Sequence, residues 1–441
     1  MRRKAVIALG AFAALVLAGS AGWAYADDDG SPVGTWYDPA DVPRTPVAAE
    51  PTTVSVPTPA GPLSTGTAPS EPAPPSPGQS SQHVPESVAV PADELRHIGE
   101  LVHVNRILKG DATFRYPGAS YVKLHFNRLT MLPGTYLTIA NAAGTEKHRI
   151  NAPKKLTTGL WAMSVTGDTA VLEVHKGAAK TLGPLAVGVD KVARGFSRAE
   201  QQRQPEEQIV APLHTGREES VCGPDTSADA ICYKSADPVA YMKSKAIARL
   251  LINGTELCTG WRVGAKNRMI TNNHCFTTAA EAFDTEVWFN YQCATCGGYS
   301  VFKPTKVWGD KVVATDHIYD YTVFTVDDFD AVKKYGYLQL DTVRPKKGQE
   351  LYVPQHPAGE PTRIAGSLGE KAGNCAVASP AYTGYANNSD VSYYCDTEGG
   401  SSGSPVISRS TNKVVALHHF GGCPNSGVRG DLLALKLKKY L

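Results

Sequence analysis

All nine cysteines lie between Cys222 and Cys423, and the first 221 residues contain none. The chain has 441 residues, room for two or three domains at about 100 to 200 residues each. The cysteine distribution separates a carboxy-terminal domain, residues 220–441, whose stability rests on side-chain chemistry the rest of the chain lacks. Whether those thiols pair depends on the compartment, and the first residues speak to that. Met1-Arg2-Arg3-Lys4 is a basic start, residues 5–18 are a nearly unbroken apolar run, and Ala24-Tyr25-Ala26 puts small residues where a signal peptidase reads. Residues 1–26 are therefore expected to be a cleaved signal peptide and the protein secreted. The apolar run is short for a membrane span and is broken by Gly19, Ser20 and Gly22, so no stable membrane anchor is expected. Without the signal the chain carries 41 basic and 42 acidic residues, a balance that argues against nucleic acid as a partner.

Fifteen of the 31 prolines lie between Ser31 and Ala92, among Ser, Thr, Gly and Ala. Such a composition buries too little apolar surface to offset chain entropy, so residues 27–93 are expected to be a disordered linker. Residues 94–197 change character. The alternating run Tyr121-Val122-Lys123-Leu124-His125-Phe126, then Tyr136-Leu137-Thr138-Ile139 and Ala170-Val171-Leu172-Glu173-Val174-His175, are separated by turn residues and predict a small β-sandwich. It has no cysteine, and its His125 and His175 read as surface or satisfied core residues. Its role is open between a propeptide and a binding domain. Polar residues 198–219, with Arg203 and Arg217, read as a second linker. Beyond it, Ile247 to Ile252, Thr322 to Val326 and Val414 to Leu417 read as strands. After an Asp431 N-cap, Leu433, Leu437, Tyr440 and Leu441 recur at helical spacing. The whole is expected to be all-β with a terminal helix.

Three segments of the cysteine-bearing domain carry the chemistry of nucleophilic catalysis. They are Met269-Ile270-Thr271-Asn272-Asn273-His274-Cys275, Tyr319-Asp320-Tyr321-Thr322-Val323-Phe324, and Glu398-Gly399-Gly400-Ser401-Ser402-Gly403-Ser404-Pro405-Val406. A serine hydroxyl is a weak nucleophile at neutral pH, so an imidazole must take its proton and return it to the leaving group. His274 is the candidate base and Ser402 the candidate nucleophile. Asp320, at the start of an apolar strand, is placed to hold the imidazole in the right tautomer. The glycines around Ser402 allow a tight turn that presents the amides of Gly400 and Ser402 to a developing oxyanion. Asp316, Asp327 and Asp328 compete weakly for the acid role. A disulfide between Cys258 and Cys275 would fasten the strand leading to His274 to its neighbour.

These segments resemble the Thr-x-x-His-Cys, Asp-x-Thr and Gly-x-Ser-Gly-x-Pro motifs of the chymotrypsin-like serine peptidases, in the family's order. From Cys222 onward the chain is similar to the bacterial lysyl and glutamyl endopeptidases, through Leu257-Cys258-Thr259-Gly260, Phe289-Asn290-Tyr291-Gln292, His356-Pro357 and Leu417-His418. The resemblance covers roughly half the chain. It implies two packed six-stranded β-barrels with the site in the cleft between them, protein or peptide substrates, a monomer, and no metal or other cofactor. It also implies pairing of Cys222 with Cys423, Cys232 with Cys296 and Cys258 with Cys275. Cys375 with Cys395 is the remaining expected pair, which leaves Cys293 free. A zinc or redox role for Cys293-Ala294-Thr295-Cys296 is the minor reading. The residue before the nucleophile is Ser401, where family zymogens have the Asp that binds a new amino terminus, so that switch is expected to be absent.

Substrate choice stays open on sequence. Asp396, six residues before Ser402, stands where trypsin-like enzymes place the carboxylate that binds Arg or Lys at P1, and this is slightly favoured. The alternative is a glutamyl-type pocket in which Thr397, His418 and His419, with Phe420 and Gly421 alongside, receive an acidic P1 side chain. No acidic residue lies between Cys423 and Asp431, so the lysyl-endopeptidase arrangement is not copied. A reading of another class, an inactive protease-fold binding module or adhesin, is opposed by the intact motifs.

Overall fold

The computed structural model describes residues 32–35, for their backbone path, and residues 95–152, 159–175, 186–197, 199–201, 221–366, 368 and 375–441. The expected signal peptide, most of the proline-rich linker and most of the 198–219 linker lie outside the described residues. Within the proline-rich stretch, Pro32–Thr35 is a strand paired antiparallel with Ser300–Phe302. An open strand edge offers unpaired backbone groups that a passing segment can satisfy whatever its composition.

The described strands between Gly99 and Gly195 form two packed sheets. One runs through Ala112–Arg115, Thr169–His175, Tyr136–Asn141 and Lys147–Asn151, and the other through Gly99–Leu108, Ala186–Gly195, Tyr121–Thr130 and Leu160–Trp161. Val122, Leu124 and Phe126 point into the core between them, with Leu137, Ile139, Leu172 and Val189. The opposite face of the same strand is also buried: Tyr121, Lys123 and His125 are at most 8% exposed. That face lies against the carboxy-terminal domain. Tyr121 Oη donates to Gly254 O at 2.8 Å and packs edge-on against Trp288. The two ion pairs Lys123–Glu286, at 2.9 Å, and Lys306–Glu146, at 2.6 Å, cross the interface in opposite senses with all four side chains no more than 2% exposed. His125 Nδ1 lies 2.6 Å from Asp190, within the sandwich.

In the carboxy-terminal domain, the strands Ile247–Ile252, Glu286–Phe289, Thr305–Asp316, Tyr321–Val326, Met269–Thr271 and Glu256–Arg262 follow one another around a closed six-stranded barrel. Arg96–His97 extends it by pairing with Glu256 and Leu257. The second barrel runs through Leu351–Gln355, Pro405–Ser408, Val414–Phe420, Asn425–Arg429, Asp390–Tyr393 and Val377–Tyr382. It closes where Glu350 bridges Ala376 and Leu351 N donates to Cys375 O, while Arg363–Gly366 pairs on the outer side of Leu351–Gln355. The terminal helix is Gly430–Leu437. Its N-cap is Arg429 rather than Asp431, which lies in the first turn and binds the Arg429 guanidinium. Four disulfides join Cys222 to Cys423, Cys232 to Cys296, Cys258 to Cys275 and Cys375 to Cys395, and Cys293 is a buried free thiol. Among the described residues no helix is long and apolar enough to cross a membrane.

Candidate active site

Strand register brings His274 and Asp320 together. Met269–Thr271 pairs antiparallel with Tyr321–Val326, Thr271 opposite Thr322. His274 follows the end of the first strand and Asp320 precedes the start of the second, so both leave the first barrel at the same rim. Asp320 occupies the left-handed region at φ +38°, and Asn272 Nδ2 donates to its carbonyl at 2.8 Å. Strain of this kind persists only where surrounding contacts over-determine it.

Ser402 comes from the second barrel, in the turn before Pro405–Ser408. Two glycines make that turn close-fitting. Gly400 at φ +104° and Gly403 at φ +87° sit where a Cβ would meet Leu257 Cδ2 at 2.2 Å and Thr259 O at 2.1 Å. Thr259 of the first barrel ties the turn across the cleft, its N–H donating to Ser402 O at 2.8 Å and its hydroxyl to Gly400 O at 2.9 Å.

The three side chains form one hydrogen-bonded line. His274 Nε2 lies 2.9 Å from Ser402 Oγ, His274 Nδ1 lies 2.8 Å from Asp320 Oδ2, and the His274 backbone N–H donates to Asp320 Oδ1 at 3.0 Å. Asp320 is 1% exposed. Burial alone would raise its carboxyl pKa, and contacts with His274 and His419 outweigh burial and hold it far below the usual range. Asp316, Asp327 and Asp328 take other roles: Asp316 accepts from Tyr319 N, Asp327 from Trp308 N, and Asp328 caps the helix Phe329–Val332.

The Asp396 carboxylate is occupied. Its two oxygens accept from Cys222 N at 3.1 Å, Thr226 N at 2.9 Å and Thr226 Oγ1 at 2.7 Å, so it pins the segment that the Cys222–Cys423 disulfide anchors. Thr397 is 1% exposed and its hydroxyl has no hydrogen-bond partner among the described residues. His418 Nδ1 lies 2.7 Å from the Tyr393 hydroxyl. His419 is fully buried with Nδ1 3.0 Å from Asp320 Oδ2 and Nε2 2.7 Å from Asp390 Oδ2, so neither nitrogen faces a pocket. Phe420 stacks on the His419 ring at 3.8 Å, Tyr385 packs against both, and Gly421 is buried beside them. Sequence reasoning missed Asp390, Tyr393 and Tyr385. The signal for Asp390 was an acid in a run otherwise suited to a strand.

Among the described residues one His/Cys cluster has the spacing of a metal site, Cys258, His274 and Cys275, and its two sulfurs are bonded to each other. Cys296 is likewise in a disulfide, which removes the Cys293–Cys296 pair as a dithiol. Burial pushes the Cys293 thiol well above its ordinary pKa.

The double barrel and its cleft are the fold of the trypsin-like serine proteases, and residues 258–417 match the family model of the trypsin-like peptidase domain. The chain is 40% identical over 231 residues to the secreted RxLR effector protein 73 of Plasmopara viticola, an alignment covering 51% of this chain and 56% of that protein. It is 28% identical over 201 residues to the uncharacterized protein y4fB of Sinorhizobium fredii, covering 41% of this chain and 28% of that one. The chain thus spans about half the length of the first relative and about a quarter of the second. Among solved structures, a Glu endopeptidase in complex with MPD is 19% identical, with 50% of this chain and 98% of that chain covered and a TM-score of 0.36. The HtrA-type protease AlgW with a tripeptide is 14% identical, with 46% and 62% covered and a TM-score of 0.34.

Proposed function

We propose that this protein is a secreted serine endopeptidase acting through Ser402, His274 and Asp320. The observation that carries the reading is the continuous line from Ser402 Oγ through both nitrogens of His274 to a buried carboxylate, at 2.9 and 2.8 Å. In this reading Ser402 Oγ attacks the scissile carbonyl carbon while His274 Nε2 takes its proton, and the imidazolium is held by Asp320. The carbonyl oxygen becomes an oxyanion facing the amides of Gly400 and Ser402. His274 then protonates the departing amine, and water repeats the cycle on the acyl-enzyme. Export is supported by the signal-like residues 1–26 and by four disulfides.

For P1, the occupied Asp396 favours the acidic reading over the basic one. A carboxylate already accepting three hydrogen bonds is a poor receptor for a lysine or arginine. The buried Thr397 hydroxyl is a donor that no described residue satisfies. His418 Nδ1 lies 2.7 Å from the Tyr393 hydroxyl, and in the tautomer in which that hydroxyl donates, the ring proton is on Nε2, a donor as well. Both suit a glutamate or aspartate side chain.

The test has two arms. A fluorophosphonate probe should label Ser402 in the wild type, and Ser402→Ala should abolish both labelling and casein cleavage; correctly folded protein that fails to label would instead support an inactive binding module. Mass-spectrometric profiling of a cleaved protein mixture should show cuts after Glu or Asp, and predominant cuts after Lys or Arg would return the specificity to Asp396.

A further inference from the structure

An imidazole lying between two carboxylates has little choice of protonation state. His419 Nδ1 is 3.0 Å from Asp320 Oδ2 and its Nε2 is 2.7 Å from Asp390 Oδ2. Ionised carboxylates accept and never donate, so both contacts are hydrogen bonds only if both ring nitrogens carry protons, which makes the ring a cation. His419 and Asp390 are 0% exposed and Asp320 is 1% exposed, so water cannot take over either contact. Asp390 is committed from its other sides as well, accepting from the hydroxyls of Ser426 at 2.9 Å and Ser389 at 2.7 Å. A neutral His419 would leave two buried carboxylates facing one proton. Burial by itself favours the neutral ring, and Asp390 and Asp320 reverse this, raising the His419 pKa to about 9.

The charged and titratable groups around the ring come from several elements. Asp320 lies at the rim of the first barrel, with His274 on the same Asp320 Oδ2 oxygen. Asp390 comes from the second barrel, on the strand one beyond Asn425–Arg429, which lies between it and the His419 strand. Tyr385 meets the ring edge-on at 5.9 Å, with His317 behind it at 5.0 Å from Tyr385. On its own strand, the neighbouring His418 is turned to Tyr393. Asp320 and Asp390 are the two anions in direct contact.

We propose that His419 is a cationic positioning residue of the active site, clamped from behind by Asp390, which fixes the Asp320 carboxylate and sets the charge that His274 works against. The proposal rests on the reading of Ser402, His274 and Asp320 as the catalytic residues. When His274 takes the serine proton, two imidazolium rings share one carboxylate oxygen. Asp390 supplies the second negative charge that makes this tolerable. Without His419's charge, His274 binds its proton more tightly. Without that of Asp390, His274 binds it less tightly.

The pH dependence of kcat/KM separates this from a merely structural role. His419→Gln should move the acid limb up by about one pH unit, the effect of removing one nearby unit charge in a partly shielded site. Asp390→Asn should move it the opposite way, by about half a unit, because that charge is more distant. The double variant His419→Gln/Asp390→Asn removes both charges and leaves no buried anion unpartnered, so it serves if the first single variant does not fold; the opposed effects should leave an upward shift of about half a unit. Variants that lose activity without moving the limb would overturn the proposal. Independently of activity, ¹H–¹⁵N spectra of the Ser402→Ala protein should show both His419 ring nitrogens protonated up to about pH 8, and a single-proton tautomer at pH 7 would overturn it. If the wild type neither labels with fluorophosphonate nor cleaves, the catalytic reading falls, and these spectra still report the charge on His419.

Discussion

Replacing Glu286 by Gln tests whether the amino-terminal sandwich is a fixed part of the proposed catalytic unit or a removable piece. The Glu286 carboxylate is fully buried and accepts from Ser164 N at 2.9 Å, Ser164 Oγ at 2.7 Å and Trp288 Nε1 at 2.8 Å, with Lys123 Nζ at 2.9 Å. Ser164 and Lys123 belong to the sandwich, whereas Trp288 belongs to the first barrel. Burial disfavours the charge, and Lys123 and Lys306 outweigh it, holding the Glu286 carboxyl below its usual range. Gln removes the anion and turns a donor toward donors, leaving Lys123 charged and enclosed between Trp161 and Trp308. Breaking a buried pair on one side costs about 3–5 kcal/mol, a large share of the ~5–15 kcal/mol that holds a domain folded. Urea unfolding of Glu286→Gln should show a loss of this size, and Glu286→Gln/Lys123→Met should recover most of it, because removing both charges also removes the desolvation cost. With a cleavage site introduced in residues 202–220 and cut, the wild-type pieces should co-elute on gel filtration and the Glu286→Gln pieces should separate. The reasoning fails if the wild-type sandwich dissociates on cutting, or if Glu286→Gln costs less than about 1 kcal/mol. Activity should follow the sandwich, since Arg96 packs over Gly399, two residues before the Ser401–Ser402 pair.

Glu286 and Glu146 both have carboxyl pKa values lowered in the folded protein, Glu146 against its burial by Lys306 and His148. Their stabilisation is therefore complete above the unfolded value of about 4.3 and drains away as pH falls below it; thermal melts should show a steep loss of stability below about pH 4 that Glu286→Gln blunts. His419 has the opposite sign. Its pKa is raised to about 9, so its contribution is complete below the unfolded value near 6.5 and is lost as pH rises through 9. The gap corresponds to about 3 kcal/mol, and urea unfolding between pH 6 and pH 10 should show a decline that is absent from His419→Gln/Asp390→Asn. Gly400→Ala should lower kcat by at least about 100-fold, the size of losing one oxyanion donor, because φ +104° and the contact of a new Cβ with Leu257 both force the turn to shift; an unchanged kcat would remove Gly400 from the proposed oxyanion site.

The candidate-site residues legible in the sequence are those whose place is fixed by their own segment. A histidine three residues past Thr271, an acid directly before Tyr321 and a serine among glycines each carry their local geometry with them, and barrel register does the rest. Where the role depends on which distant group arrives, the same reasoning falls short. The alternation from Tyr121 to Phe126 correctly separates a core face from a polar face, but a period of two says only that the faces differ, and Lys123 is enclosed because Glu286 reaches it from 163 positions away. Asp396 and Asp390 make the point most sharply. Asp396 has the spacing from Ser402 of a substrate-binding acid, yet the segment Cys222–Thr226 folds over it and uses its oxygens. Asp390, twelve residues before Ser402, looks like an ordinary strand residue, yet it lies behind the imidazole that braces Asp320. A carboxylate takes its function from the donors that reach it, and for both of these acids the deciding donors lie 29 to 174 residues away in sequence.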